Sequence, residues 1–163
     1  MIRPFQPTDL EELKRITALC FPNVSIDRNI EEKLGVIGGH DWTWRKLRHI
    51  DNDVAGDNAR HVFVWETAIH EIAGYITGRT DIDSKIGWIP NLAVAPEHQG
   101  NGIGRQLIDH LLQHFRDDGM ECAKIETLAQ NEIGSTFYPS MGFHEIARQV
   151  HYVMRLGDSE PEE

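Results

Sequence analysis

Apolar residues recur along this chain at two spacings, one typical of helices and the other typical of strands. Apolar residues at near-helical spacing between Leu10 and Leu19 predict a first helix that runs to about Cys20. The segment 8–11 has the form of a capping box with Thr8 as the N-cap, so the helix is predicted to begin there.

Two short helices are predicted next. Residues 27–37 predict one that stops at Gly38-Gly39, and a third helix begins after Asp41. The third helix places three apolar side chains along one face, those of Trp44, Leu47 and Ile50. The polar residues 51–58 predict a loop.

Short runs rich in β-branched and aromatic residues predict the strands. They span residues 1–6, 61–66, 71–80, 86–94, 122–128, 143–147 and 150–156. The gap at 68–70 suits a hairpin, and residues 81–84 predict a turn.

The longest predicted helix covers residues 102–118. Its apolar side chains form one wide stripe from Ile103 to Phe115, and Gly119 lies where a C′ glycine belongs. A last helix is predicted at 131–138. Strands on either side of a central strand–loop–helix unit, with helices interleaved, indicate a mixed α/β sheet.

The length of 163 residues predicts a single domain, placed at residues 1–156. Residues 157–163 form an acidic tail that is too polar to pack and is predicted to be disordered. The net charge of −10 argues against nucleic-acid binding, which needs a basic surface.

No apolar run approaches the roughly 20 residues needed to cross a bilayer, so no membrane partner is expected. The first residues lack the features of a signal peptide. Cys20 and Cys122 lie in apolar segments and are expected to be buried, reduced thiols. These features predict a cytoplasmic protein.

The chemistry is expected at the glycine-rich turn before the long helix. Gly100, Gly102 and Gly104 allow close approach of the backbone to a ligand, and the helix start adds free N–H groups and a positive dipole end. Such a turn holds a phosphate, or it serves only tight helix–strand packing. The Lys-Ser/Thr pair of a P-loop and the G-x-G-x-x-G spacing of a Rossmann fold are both missing, so these motifs fit poorly.

Two segments of the chain match one known pattern. The first is Leu92-Ala93-Val94, followed by Gln99-Gly100-Asn101-Gly102-Ile103-Gly104-Arg105; the second is residues 131–143, with Gly134 at a position that is usually alanine. Together they resemble the Q/R-x-x-G-x-G/A and N-x-x-A-x-x-F-Y-x-x-x-G-F motifs of the GNAT superfamily of acetyl-CoA-dependent N-acetyltransferases. The resemblance covers roughly residues 1–156.

The resemblance implies a mixed, mostly antiparallel central sheet of about seven strands with helices on both faces. The fourth and fifth strands would splay apart around the pantetheine arm of acetyl-CoA. Pro90 has no N–H to donate, which fits a break in pairing there and fits a simple edge strand equally. The residues implied in cofactor binding are Leu92, Ala93, Val94, Gln99, Gly100, Asn101, Gly102, Ile103, Gly104, Arg105 and Asn131, although Asn131 is also explained by N-capping.

The implied reaction transfers an acetyl group from acetyl-CoA to a primary amine of a small molecule or peptide. Tyr138 matches the position that commonly protonates the departing thiolate; a tyrosine packed at a helix end is the alternative. Pro139 is expected to end the helix and re-aim the phenol. The strand before Leu92 carries no acid, so Glu126 on the neighbouring strand is the candidate base, acting through water, with a solvated glutamate as the alternative.

The acceptor is expected near residues 40–49, where Trp42 and Trp44 stand among charged side chains. They form either an aromatic wall for an ammonium or part of an amphipathic helix that buries Trp44 and Leu47. No cysteine pair and no H-E-x-x-H motif occurs, so no metal is expected. Two other functions stay open: a non-catalytic acyl-CoA-binding module and a generic nucleotide-binding domain. A homodimer is compatible with the sequence, which identifies neither the acceptor nor the acyl chain length.

Overall fold

Residues 1–157 are described by a computed structural model, so the predicted tail lies outside the described residues except for Gly157. In this part of the chain the seven strands are β1 (Ile2–Pro4), β2 (Phe63–Glu66), β3 (Ile72–Ile76), β4 (Arg79–Asp81), β5 (Ile86–Ile89), β6 (Leu92–Val94) and β7 (Cys122–Ile125). The five α-helices of the same stretch are α1 (Leu10–Cys20), α2 (Ile26–Leu34), α3 (Trp42–Asp53), α4 (Ile103–Asp117) and α5 (Glu132–Ser140). A search of these residues finds no helix with the length and apolar character that a bilayer crossing requires.

The strands form two hydrogen-bonded sheets. β1, β2, β3 and β6 pair in that order, and every pairing among them is antiparallel. In the second sheet β4 pairs antiparallel with β5, and β5 pairs parallel with β7. The mixed, mostly antiparallel arrangement implied by the resemblance is confirmed.

A β-bulge divides the long hairpin of residues 72–94 between these two sheets. Ile76 pairs with Leu92 and Arg79 pairs with Trp88, so two residues on one strand oppose three on the other. One of the three is Pro90, which has no N–H for the ladder. Each of the predicted strands 71–80 and 86–94 is therefore interrupted.

The parallel ladder of β5 and β7 stops where the bulge begins. Its last pair joins Ile89 to Ile125, and beyond this pair β3 is the one described strand that bonds to β6. The two chain segments separate from that point and leave one edge of β6 open. The predicted splay is confirmed, and it starts beside Pro90.

The bulge also exchanges the faces of the strand. Before it, Ile89 belongs to the apolar cluster around α4, and an added Cβ at Gly87 would clash with the Phe115 ring of that helix. After it, Leu92 and Val94 pack against the α4 cluster, whereas the side chain of the residue between them packs toward α1. Odd-numbered residues therefore face α4 before the bulge, and even-numbered residues face it afterwards.

Helices cover both faces of the sheets. On one face, α4 contributes fully buried Leu107 and Leu111 to a cluster that α5 also contacts. On the other face, Leu13 of α1 and Ile50 of α3 are fully buried. Each such side chain contributes about 1.5–3 kcal/mol relative to exposure, so the two clusters hold the layers together.

The start of α1 differs from the predicted capping box. A 3₁₀ turn at 7–9 precedes the helix, and the carboxylate of Asp9 accepts the backbone N–H of Gln6 at 2.7 Å. Arg3 binds the same carboxylate at 2.8 Å and holds it in place. The role assigned to Thr8 is wrong, because Asp9 is the better acceptor and has a cationic partner.

Two helices end elsewhere than predicted. α2 stops at Leu34, before Gly38-Gly39, because Gly35 adopts a φ of 74°. α5 continues through Pro139 to Ser140, so the expectation that the proline ends the helix is wrong. A proline in the last turn removes only one helical hydrogen bond, and the flanking contacts tolerate that loss.

α3 begins after Asp41 as predicted, and the Asp41 carboxylate accepts the Trp44 N–H at 2.8 Å. The helix continues to Asp53, and a 3₁₀ segment follows at 56–61, so the loop predicted at 51–58 is wrong. Helical backbone persists there because Asp53 has buried partners, described below.

Two side chains are exposed: Trp44, for which burial was one of two alternatives, and Cys122, which was expected to be buried. Trp44 is 41% exposed and stacks on His40, with ring centroids 3.5 Å apart. The guanidinium carbon of Arg48 lies 4.7 Å from the centroid of the Trp44 ring. The α3 face that packs inward is centred on Ile50 instead. Cys122 is also exposed, because alternate residues of β7 point away from α4.

The two predicted terminal strands are wrong, since residues 143–156 carry no strand in the described part of the chain. The apolar residues at alternate positions are 75% to 92% exposed, and these are Val150, Tyr152, Met154 and Leu156. Alternation produces a strand only where a neighbouring strand and an apolar surface are available. Seven strands result all the same, because the bulge divides two of the predicted ones.

Candidate functional site

The turn between β6 and α4 is held open by two glycines. Gly100 and Gly102 adopt φ angles of 80° and 77°, and a Cβ added at either would meet no other atom within 4 Å. Asn101 closes the turn by donating from Nδ2 to the carbonyl of His98 at 3.1 Å. Ile103, 4% exposed, anchors the first residue of α4 in the core. Open space therefore lies beside the backbone at both glycines, in front of the helix.

The backbone N–H groups of residues 100–105 have no acceptor among the described residues. The first bond of the helix is donated by Gln106 to the carbonyl of Gly102 at 3.1 Å. Unpaired N–H groups at the positive end of a 15-residue helix attract an anion. The turn is therefore suited to a phosphate or pyrophosphate group.

The open edge of β6 adjoins this turn. Odd-numbered residues bond to β3, as shown by Ala95, whose N–H donates to the carbonyl of Ala73 at 2.8 Å. In an antiparallel pair, alternate residues point their N–H and C=O groups away from the partner strand. In β6 these are Leu92 and Val94, whose backbone groups therefore face the opening. Ala93 turns its backbone groups to β3 and offers none to the opening.

One of these open groups is already engaged. The carbonyl of Val94 accepts Gln99 Nε2 at 2.9 Å and the Cys20 thiol at 3.2 Å. Burial raises the pKa of Cys20, which keeps the thiol neutral and able to donate. Gln99 thus ties the glycine turn to β6, and the groups left for a ligand are the Leu92 N–H and C=O and the Val94 N–H.

The third glycine of the turn lies between α4, α5 and β6. A Cβ at Gly104 would make ordinary van der Waals contacts, 3.5 Å from the ring of Phe137 and 3.8 Å from the Val94 side chain, so the position adjoins α5 but has room for a small side chain. Arg105 donates to the hydroxyl of Ser140 at 3.3 Å and joins the same two helices at the exposed rim. These contacts place α5 beside the opening.

Asn131 is the N-cap of α5. Its Oδ1 accepts the N–H of Gly134 at 3.0 Å, and its Nδ2 donates to Thr127 Oγ1 at 2.8 Å. Both ends of the side-chain amide are therefore committed to the start of the helix. Direct contact with a cofactor would require one of them to be released.

Tyr138 lies on the inner side of α5 among other aromatic rings. Its ring centroid is 5.5 Å from that of Phe137 and 6.1 Å from that of Phe143. Burial raises the pKa of Tyr138 to about 12, because the phenolate would lose its hydration. The phenol is protonated at neutral pH, which is the state that a general acid requires.

Glu126 follows directly after β7, at the point where the parallel ladder has ended. Its Oε2 accepts the indole N–H of Trp88, and its Oε1 lies 3.3 Å from Lys124 Nζ. The side chain is 57% exposed and open to water. The structure thus places the carboxylate at the start of the splay, on the side of the sheet away from α4.

A buried carboxylate that the sequence reasoning missed supports the bulge. Asp53 accepts Thr77 Oγ1 at 3.0 Å, Arg79 Nη2 at 2.9 Å and Asn91 Nδ2 at 2.7 Å. Lys46 Nζ in turn donates to Asn91 Oδ1 at 2.8 Å, and burial lowers its pKa. These residues are distant in sequence and form no motif, so no local signal identifies the network.

A cavity of about 450 Å³ lies elsewhere, next to the N-terminal 3₁₀ turn, and does not include the glycine turn. Arg3 pairs with Asp9 and Arg15 pairs with Glu12 in its wall. Because these charges satisfy one another, the unpaired backbone groups beside β6 are the better candidate for ligand binding.

Comparison with known proteins gives one family match and several partial relatives. The chain matches the model of the acetyltransferase (GNAT) family over residues 11–143. It is 34% identical over 62 residues to the ribosomal protein bS18-alanine N-acetyltransferase of Escherichia coli (strain K12), and the match covers 38% of this chain but only 42% of that relative. It is 30% identical over 114 residues to the L-amino acid N-acyltransferase MnaT of the same strain, with 66% of each chain covered.

Among solved structures, the fold is similar to that of Rv2747 from Mycobacterium tuberculosis in complex with CoA and NLQ. The TM-score is 0.64 at 20% sequence identity, with 90% of this chain and 73% of that chain covered. The segment that matches the family model contains β6, the glycine turn and the whole of α5.

Proposed function

Because this chain belongs to the acetyltransferase (GNAT) family, we propose that it transfers an acetyl group from acetyl-CoA to a primary amine of a small molecule or peptide. One observation carries the proposal: the open backbone groups of β6 adjoin the unpaired N–H groups at the start of α4. A strand edge suits the amides of a pantetheine arm, and the helix start suits a pyrophosphate. Coenzyme A contains both groups in one molecule.

The strand edge would bind the donor in an extended form. Leu92 offers one N–H and one C=O, and Val94 offers its N–H, while Gly100, Gly102 and the following N–H groups receive the pyrophosphate. Gln99 supports this arrangement by fixing the turn to β6. Of the two open N–H groups, the one that the pantetheine arm leaves free would stabilise the oxyanion of the tetrahedral intermediate.

The transfer requires two proton movements. The neutral amine attacks the thioester carbonyl carbon, and its proton passes to Glu126 through water. The carbon–sulfur bond then breaks, and Tyr138 gives a proton to the thiolate. The exposure of Glu126 supports a proton relay through water, and the burial of Tyr138 keeps its phenol protonated.

A second candidate function is a non-catalytic acyl-CoA-binding module. It is favoured by one observation: both oxygens of Glu126 already have partners, in Trp88 and Lys124. A water or an acceptor must compete with these two partners before it can reach the carboxylate.

An acceptor screen decides between these functions. The full chain is mixed with acetyl-CoA and a peptide beginning with alanine, a set of L-amino acids, or an aminoglycoside, and free thiol and product mass are measured. Thiol release coupled to an acetylated amine supports the transferase. Saturable acetyl-CoA binding with no acetylated product supports the binding module, and binding of NAD or ATP in preference to acetyl-CoA contradicts both.

Three expectations about organisation accompany this proposal. Residues 1–156 would act as one transferase domain, the protein would work in the cytoplasm, and a homodimer is compatible with its surface. Size-exclusion chromatography with light scattering measures the last of these directly.

A further inference from the structure

Two imidazoles and one carboxylate meet at the end of α4 that lies away from the glycine turn. His61 Nδ1 lies 2.8 Å from His114 Nε2, and Asp118 Oδ2 lies 3.7 Å from each of these nitrogens. His61 is 5% exposed, whereas His114 and Asp118 are reached from solvent. At about 1.5 Å per helical residue, this cluster is about 20 Å from the start of α4.

The three atoms have the spacing of metal ligands. The point equidistant from them lies about 2.0 Å from each, which is the usual length of zinc–nitrogen and zinc–carboxylate bonds. Two imidazoles and a carboxylate are ligands that divalent transition metals accept. We propose that His61, His114 and Asp118 form a binding site for a divalent transition-metal ion such as Zn²⁺, with a fourth position open to solvent.

The surrounding groups fit this assignment. When His61 binds a metal through Nδ1, its proton is on Nε2. Thr80 Oγ1 lies 3.4 Å from Nε2 and can accept a hydrogen bond from that N–H group. Asp118 is the C-cap of α4, so the negative end of the helix dipole adds to the attraction for a cation. The chain therefore supplies both ligands and an outer contact.

Arg60 is a cation that already pairs with one of the proposed ligands, Asp118. Its guanidinium pairs with Asp118, and its Nε donates to His61 Nε2 at 3.1 Å. The Arg60 side chain is 56% exposed, so it can leave for water when a metal ion binds. Arg60 thus acts as an internal competitor of the metal.

This site is distinct from the opening beside β6. A bound ion would join the 3₁₀ segment before β2 to the last turn of α4, two segments separated by 53 residues. Because such an ion binds the folded state, it raises the melting temperature by linkage. The ligands lie at positions 61, 114 and 118, which explains why no short sequence motif marks them.

The test uses the full chain, stripped of metal with a chelator and titrated with Zn²⁺ in a calorimeter, with melting temperature as a second readout. One ion should bind per chain and raise the melting temperature. His114→Gln should lose at least about tenfold in affinity, in line with losses at metal sites. His110→Gln is the matched control, because His110 meets the same Phe63 ring edge-on as His114 does but lies outside the cluster.

Arg60→Ala gives a test of opposite sign. Removing the competing cation should tighten Zn²⁺ binding about two- to fivefold, the factor that corresponds to a surface ion pair. The proposal is overturned by three results: no saturable binding to the wild-type chain, equal losses in His114→Gln and His110→Gln, or unchanged or weaker binding in Arg60→Ala. In those cases the His61–His114 contact is an ordinary hydrogen bond.

Discussion

Replacing Asp53 by alanine tests whether α3 holds the bulge that opens the sheet. The substitution removes the acceptor for the fully buried Thr77 hydroxyl and for the Asn91 amide, which is 5% exposed. Each buried donor left without a partner costs about 1–3 kcal/mol. The Arg79 side chain is 35% exposed, so water can replace the lost carboxylate, and this ion pair adds little to the loss of free energy of unfolding.

We expect Asp53→Ala to lower the free energy of unfolding by about 3 kcal/mol, which is a large part of the usual 5–15 kcal/mol. For a chain of this length that corresponds to a melting temperature about 6–12 °C lower. The relaxed bulge should also weaken acetyl-CoA binding, because Asn91 directly precedes the edge of β6 that carries Leu92.

Urea unfolding measures the loss of free energy of unfolding. If the dependence of this free energy on urea concentration is unchanged, the transition remains two-state. Asp51→Ala is the matched control, since Asp51 lies on the same helix but is 48% exposed and pairs only with Lys14. It should cost no more than about 1 kcal/mol. Equal losses in the two variants would refute the reasoning, because burial and the three donors would then have no measurable effect.

The remaining predictions concern the proposed transfer site. Gly102→Val should abolish acetyl-CoA binding in calorimetry. Gly119→Val should not, although Gly119 has a similar φ of 80° and an added Cβ there also meets no atom within 4 Å. Equal losses of affinity in the two variants would mean that only backbone strain is being measured. Glu126→Gln should lower kcat about 10²-fold and flatten the acidic limb of its pH profile, while Glu121→Gln, which precedes the same strand, should do neither. Tyr138→Phe should lower kcat about 10²-fold with acetyl-CoA affinity nearly intact, and full turnover would leave the ring a packing role. Since burial raises the pKa of Tyr138 to about 12, the phenol stays protonated up to pH 10. If kcat falls as the pH rises toward 10, the group that loses its proton is therefore not Tyr138.

The sequence predicts α4 well because its local signals agree. An uninterrupted apolar stripe, a glycine turn before it and Gly119 after it all favour the same helix, and that helix is found. The residues 150–156 show the opposite case. Their alternation is as regular as that of a strand, but alternation does not state whether another strand lies beside it.

The division of roles within the site depends on hydrogen-bond direction, which residue spacing does not encode. The Gln99 side chain binds Val94, and Asn131 caps α5, which was one of the two alternatives for that residue. The bulge depends on Asp53, which contacts residues 24 to 38 positions away. Pro90 was the single local sign of it, and a proline alone does not distinguish a bulge from an edge strand.

The count of residues between β5 and β6 makes this hairpin sensitive to insertions and deletions. Loss of one residue from 89–91 would leave two residues opposite two, a regular ladder in which Leu92 and Val94 still face α4. Such a deletion would remove the bend instead, so that the strand ran straight from β5 into β6 and the edge beside Pro90 closed. A substitution here alters one side chain, whereas this change in length removes the opening itself. The segment looks like a loop that tolerates gaps, yet its length is fixed more tightly than its composition.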